Sequence, residues 1–466
     1  MSVDGELLPA EPYATATKTG GRRWVYPRRV PGRWLNARRI VAWGLIIVYT
    51  SLPHLTINGM PAILLDIQHR RFTLFGTRFW PTDTLLLALF LIGFIVTIVA
   101  LTAVFGRIWC GWGCPQTVYL EFLFRPIENL IEGKGFRQKK FDASPPTASK
   151  IARKLLKWFI FLIISMILAH TFLAYFVGVD RLEDWMTRSP LEHPFSFLLM
   201  IGVTGAMLFD FLWFREQMCT LACPYGRLQS VMLDAGSLII GYDRRRGEPR
   251  GKLRKKGASA DGERGDCVDC GLCVQVCPTG IDIRNGLQLE CIACAQCIDA
   301  CDSVMEKIGR PKGLIRYASK QSLEGETWRF FRPRLLGYAL LLVMIGGGLA
   351  YGLASRSLTT VNVLRAAEEP YQELPDGRIS NHLRVRISNR ASTAHTYRVS
   401  LRTPAEATLT LPVQSLTVQG GEIGTLDAFI ALPRNALHSG TRMLRFDIIS
   451  DDGQRVEAGS PFVGPE

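Results

Sequence analysis

Five apolar stretches, at roughly residues 38–57, 84–105, 157–178, 194–214 and 335–354, constrain this chain before any motif does. Each is long enough to cross about 30 Å of hydrocarbon as a helix, and a segment in lipid has to satisfy its own backbone hydrogen bonds. The sequence therefore predicts a polytopic α-helical membrane domain of five spans. Pro53 and His54 interrupt the first stretch near its far end, which a membrane helix tolerates where neighbours satisfy the backbone.

Lys and Arg resist translocation, so their distribution predicts orientation. The N-terminal tail carries Lys18, Arg22, Arg23, Arg28, Arg29, Arg33, Arg38 and Arg39, residues 107–157 carry ten basic residues and residues 215–334 carry twenty. The loop 179–193 carries only Arg181 and Arg188, beside Asp180, Glu183, Asp184 and Glu192. Five spans with the N-terminus inside place every basic segment in the cytoplasm and the C-terminus outside. The first 37 residues have no apolar core before Ile40, which predicts a cytoplasmic tail rather than a cleavable signal. A net charge of +14 would also suit nucleic acid, but the basic residues flank apolar spans instead of covering one soluble domain, so no nucleic-acid partner is expected.

The last part of the chain, from about residue 355, has another texture. His382-Leu-Arg-Val-Arg-Ile-Ser, Tyr397-Arg-Val-Ser-Leu-Arg, Ala407-Thr-Leu-Thr-Leu and Met443-Leu-Arg-Phe-Asp-Ile-Ile alternate apolar and polar residues between Gly-, Pro- or Asn-rich breaks. Short alternating strands at this spacing predict a small β-sandwich.

All twelve cysteines lie between Cys110 and Cys301. In a reducing compartment, grouped cysteines indicate metal or redox chemistry more often than disulfides. Cys267-Val-Asp-Cys270-Gly-Leu-Cys273-Val-Gln-Val-Cys277-Pro278 is a bacterial ferredoxin run, and Cys291-Ile-Ala-Cys294-Ala-Gln-Cys297-Ile-Asp-Ala-Cys301 repeats it. In such runs three thiolates bind one 4Fe-4S cluster and the fourth reaches the other. The spacing thus assigns Cys267, Cys270, Cys273 and Cys301 to one cluster and Cys291, Cys294, Cys297 and Cys277 to a second. Zinc knuckles share the Cys-x2-Cys spacing, but zinc needs only four thiolates, with longer spacing between pairs. Asp302 stands where the second run would often have Pro.

Two further pairs echo each other: Cys110-Gly-Trp-Gly-Cys114-Pro115 after the second span and Cys219-Thr-Leu-Ala-Cys223-Pro224 after the fourth. Matched positions point to a two-fold repeated membrane core. Spacing of i and i+4 predicts both thiols of a pair on one helix face, where they share a soft metal such as Cu(I) or oxidise to a disulfide. Met207 and Met218 are candidate thioether ligands beside them; the bland alternative is four cysteines packing as small hydrophobes. His54 and His170 invite a haem reading, which a hydrogen-bonded packing role answers better. Trp34, Trp43, Trp80, Trp109, Trp112 and Trp213 near span ends read as interfacial anchors. No Gly-rich dinucleotide fingerprint follows a strand, so the electron donor is expected to be a separate protein or the quinone pool.

Taken together, the five spans, the two Cys-x3-Cys-Pro motifs, the dicluster ferredoxin insert and the outer β domain resemble the CcoG/FixG/RdxA proteins, over nearly the whole chain. That resemblance implies a multi-pass protein of the bacterial inner membrane that reduces Cu(II) to Cu(I) for cbb3-type cytochrome c oxidase, working with the oxidase or its copper chaperones. It implies that Cys110, Cys114, Cys219 and Cys223 form the catalytic, copper-handling set, and that the C-terminal domain is immunoglobulin-like. The expected organisation is a cytoplasmic basic tail (1–37), a four-span membrane domain (38–233), a cytoplasmic dicluster domain (234–334), a fifth span (335–354) and a periplasmic β domain (355–466). A ferredoxin-type relay subunit of a membrane quinol dehydrogenase also resembles residues 84–301, although such proteins usually lack the fifth span and outer domain. A non-catalytic assembly scaffold is the third reading.

Overall fold

The computed structural model describes residues 14–15, 21–57, 59–68, 71–79, 84–252, 264–327, 332–355, 357–366, 369–391, 393–437 and 440–465. Lys18, Trp80 and the basic run 254–256 lie outside them. Among the described residues, four helices are long and apolar enough to cross a membrane: Thr84–Phe105, Ala148–Val177, Pro194–Phe214 and Pro333–Ala354. Leu85, Phe90, Phe94, Phe159, Phe195, Leu340 and Val343 on them are exposed, the arrangement lipid favours and water does not.

The first expected span is also a helix, Arg33–Ser51, with Ile40, Trp43, Ile47 and Val48 exposed on its outer face. It starts earlier and ends earlier than the expected 38–57. Arg33, Arg38 and Arg39 occupy its opening turns, and Pro53, which has no amide hydrogen, falls in a short 3-10 turn, Leu52–His54, that ends it.

Ala148–Val177 is the most enclosed of the membrane helices, and Phe161, Leu168 and Leu173 on it are buried. Phe161 meets Phe124 edge-on at 4.7 Å, and Phe124 stacks on Phe211 at 4.1 Å. Met207, a candidate ligand above, packs into this apolar cluster instead. His170 donates from Nδ1 to the Met166 carbonyl at 2.8 Å, which gives its ring a local role.

Residues 239–242 and 315–318 pair antiparallel, Ile239 opposite Ala318, and close the neck of the cysteine-rich insert. Helix Gln296–Lys307 forms its main rod.

The C-terminal unit is a two-sheet antiparallel sandwich. One sheet runs Thr408–Thr410, Ile423–Pro433, Arg378–Asn389, Thr359–Arg365, with Gln372–Glu373 also paired to Arg378–Asn389. The other runs Ser415–Val418, His395–Thr403, Thr441–Ser450, Arg455–Val463. The period-2 pattern places Ile379, Leu383, Val385 and Ile387 inward, against Tyr397, Leu444, Phe446 and Phe462 of the facing sheet. The buried Asn381 amide exchanges hydrogen bonds with the Val463 backbone at 2.7 and 2.8 Å. This unit is a β-sandwich, as the alternation predicts, and its two-sheet architecture agrees with the immunoglobulin-like domain that the resemblance implies.

Candidate metal centre

Both ferredoxin runs fold through the same turn. Asp269 and Gly271 in the first, and Ala293 and Ala295 in the second, have φ of 49°, 65°, 53° and 61°. Left-handed backbone at Asp269, Ala293 and Ala295 costs on the order of 1–2 kcal/mol per residue. Gly271 and Ala295 then open helices Leu272–Gln275 and Gln296–Lys307. The strain curls each loop so that its thiols face inward.

Two cavities result. One is lined by Cys267, Cys270, Cys273 and Cys301 among apolar groups such as Leu272, Leu314 and Ile315. The other is lined by Cys277, Cys291, Cys294 and Cys297, with Ile240, Ile281 and Ile283, and Cys273 borders it too. Burial pushes the Cys291 and Cys301 thiols up to about 12 and those of Cys273 and Cys294 to about 11, with neighbouring thiols pushing the same way. A thiolate in either cavity therefore needs metal charge beside it. All-sulfur donors in an apolar, preformed shell fit iron–sulfur clusters.

The second cavity is roofed by the segment that follows the second span. A Cβ at Gly111 would lie 2.4 Å from the Ile292 carbonyl oxygen and 3.0 Å from the Cys294 Cα, so these backbones are in contact. Arg107 donates to the carbonyls of Leu289 and, at 3.4 Å, Cys291. The Tyr317 hydroxyl donates to the Ala293 carbonyl at 2.6 Å and accepts from Trp112 Nε1 at 3.1 Å. Trp34 meets Trp112 and Tyr317 edge-on at 6.0 and 5.0 Å. Trp34 and Trp112 are therefore packing residues of this junction, not the interfacial anchors their positions predict. Asp299, between Cys297 and Cys301, accepts from the amides of Trp34 and Leu35 at 3.2 and 2.8 Å, capping helix Arg33–Ser51 from a distant part of the chain.

The Cys-x3-Cys-Pro motifs repeat in backbone as well as in sequence. The Cys114 amide donates to the Trp109 carbonyl and the Cys223 amide to the Met218 carbonyl, both at 2.8 Å. Eight positions before the second cysteine, Gly106 and Arg215 both take left-handed backbone, φ 57° and 52°. Each pair spans a break instead of sharing one helix face. Cys110 lies in Ile108–Trp112 and Cys219 in the π-turn Met218–Ala222, while Cys114 and Cys223 are extended caps of the next helices. Pro115 and Pro224 enforce the break, because proline disfavours helical backbone in the residue before it.

The two motifs are neighbours nonetheless. Burial pushes Cys110 up to about 12, and Cys114, Cys223 and Cys291 act in the same direction; Cys219 is raised by burial and then by Cys114, Cys110 and Cys223. Cys110 donates to Oε1 of the fully buried Gln229 at 3.4 Å. Gln116 Nε2 donates to the Arg215 carbonyl at 3.0 Å, and Arg215 forks onto Glu128 with two bonds of 2.9 Å. Burial alone would raise the Glu128 carboxyl, but Arg215 and Lys157 override it and hold it down at about 2. This ion pair ties the second motif to the helix that follows the first. The Met218 side chain is partly exposed beside the pairs.

Sequence reasoning treated Arg38 and Arg107 only as topological markers and passed over Asp299, Tyr317, Gln229 and the Glu128–Arg215 pair. A signal existed for Arg38: an ionisable residue within an apolar helix is a functional-site hypothesis by default.

Residues 86–142 match the family described as a 4Fe-4S binding domain, residues 214–320 a 4Fe-4S dicluster domain, and residues 349–465 the IG-like fold at the C-terminal of FixG. Protein RdxB of Cereibacter sphaeroides is 35% identical, over 97% of this chain and 98% of its own length. Protein RdxA of the same organism is 34% identical over 95% of each chain, and the nitrogen fixation protein FixG of Rhizobium meliloti 32% over 92% and 90%.

Proposed function

The chain belongs to the FixG/RdxA family of membrane iron–sulfur electron-transfer proteins, and from that premise we propose that it is a cupric reductase, passing single electrons to Cu(II) in support of cbb3-type oxidase assembly. When bound, the two clusters supply one-electron redox chemistry. Cys267, Cys270, Cys273 and Cys301 would hold one, and Cys277, Cys291, Cys294 and Cys297 the other, a division that the lining of the two cavities supports. The observation that carries the copper reading is that the two motifs are neighbours, joined by the Cys110–Gln229 and Gln116–Arg215 hydrogen bonds, beside the roof of the second cavity. Soft thiolates favour Cu(I) over Cu(II), so the same ligands that receive the substrate stabilise its reduced form. Glu128, Arg215 and Gln229 hold the motif backbones in place.

The test is anaerobic purification with iron and copper analysis, followed by a Cu(II) reduction assay on the dithionite-reduced protein. Cluster oxidation that keeps pace with Cu(I) production is expected; full clusters that never reoxidise with Cu(II) would sink the reading.

A second reading has its own observation. Residues 86–142 contain only Cys110 and Cys114 yet match a 4Fe-4S binding family, so the four thiols of the two neighbouring motifs are candidates for a third cluster. Iron sufficient for three clusters would favour it over copper.

The distribution of Lys and Arg supports an inner-membrane protein with its N-terminus and cluster domain in the cytoplasm and the sandwich in the periplasm. Alkaline phosphatase should be inactive when fused after Arg250 and active when fused after Pro433; the reverse pattern overturns this orientation.

A further inference from the structure

Arg38 is fully buried, one turn into the first membrane helix. Its Nε donates to the Gly111 carbonyl at 2.9 Å, and its guanidinium carbon lies 5.2 Å from the centre of the Phe122 ring. Nη1 and Nη2 have no hydrogen-bond partner among the described residues. A buried cation with open donors is destabilising unless something negative completes it. Glu121 lies close enough to feel the charge, but its carboxylate is paired with Arg125.

The second cavity offers the missing partner. Gly111, which Arg38 grips, lies against the backbone of Ile292–Cys294, and Cys294 lines that cavity. The first cavity is bordered by a cation of a different kind. Arg284 is engaged by Asp282 at 2.7 Å and Asp269 at 2.6 Å, so its charge is already offset.

We propose that Arg38 completes the second iron–sulfur site from within the membrane domain, directing its two open N–H donors at the cluster's sulfur atoms and raising that cluster's reduction potential. Charge and hydrogen bonds to sulfur are established determinants of such potentials. An electron arriving at the first site is then drawn to the second, the one beside Cys110; one electron moves, and no bond forms or breaks. The proposal rests on the ligand assignment given above.

The experiment is an EPR-monitored redox titration of the anaerobically purified full chain, with Arg38→Gln and Arg38→Lys. In Arg38→Gln, the reduction equilibrium of the second-run cluster should shift about tenfold toward the oxidised form, about 59 mV for a one-electron couple, while the first-run cluster stays put. Arg38→Lys keeps the charge and should shift less. Full iron with both potentials unmoved, or moved equally, overturns the proposal and leaves the ligand assignment standing. Should Arg38→Gln lose iron, pulsed EPR of 15N-arginine-labelled wild type and Arg38→Lys decides: a 15N coupling at the second-run cluster that is lost in Arg38→Lys supports the proposal, and one that is absent or unchanged overturns it.

Discussion

The two cysteine cavities are made from the same turn yet live in different surroundings. Cys270 at the first is exposed, and the cation there, Arg284, is matched by two aspartates. The second lies beneath Gly111 and Arg107, with Cys291 and Cys294 buried. Local sequence repeats a ligand geometry; the neighbours that fold over it leave one copy partly exposed and cover the other.

The sharpest break in this comparison comes from the crossing ligands. Cys277→Ser should cost the second-run cluster and spare the first, whereas Cys301→Ser should do the opposite. EPR showing damage confined to the first-run cluster in Cys277→Ser would dissolve the crossed assignment. Next in size is the double variant Cys110→Ser with Cys219→Ser. It should leave the iron–sulfur spectrum nearly intact while Cu(II) reduction falls by more than about 100-fold, the upper end of what changes around a metal's ligands cost. Full reduction, or loss of clusters along with it, would separate these thiols from copper reduction.

Smaller effects test the roof itself. Gly111→Ala forces a methyl into the Ile292–Cys294 backbone, and overpacking of this kind costs about 1–3 kcal/mol. Thermal bleaching of the second-run cluster should come earlier, with the first-run cluster little changed; equal bleaching would mean the roof serves both sites. The mildest change is Tyr317→Phe, which leaves the Ala293 carbonyl without its hydroxyl donor and should cost about 0.5–1.5 kcal/mol in denaturant unfolding of the cluster domain. An unchanged midpoint would remove Tyr317 from the junction.

The cysteine runs were legible because their spacing is local: Cys267 to Cys277 and Cys291 to Cys301 are set by short loops whose pattern encodes the chemistry. The sandwich was legible because burial alternates with period 2 along Arg378–Asn389. The Cys-x3-Cys-Pro pairs were legible as a repeat but misjudged in shape, since Pro115 and Pro224 outweigh i, i+4 helical spacing. Trp34 and Trp112 were misjudged because position near a span end does not reveal a partner such as Tyr317.

By itself, then, the sequence determined the apolar spans, the two ferredoxin turns and the alternating strands, each governed by interactions within a few residues. Tertiary structure alone decided that Arg38 meets Gly111 across 73 positions, Arg107 meets Cys291 across 184 and Asp299 caps Trp34 across 265. The reason is physical. Hydrogen-bond periodicity and thiol spacing are properties of short segments, whereas a buried guanidinium acquires its partner only when distant backbones have packed closely enough to exclude water.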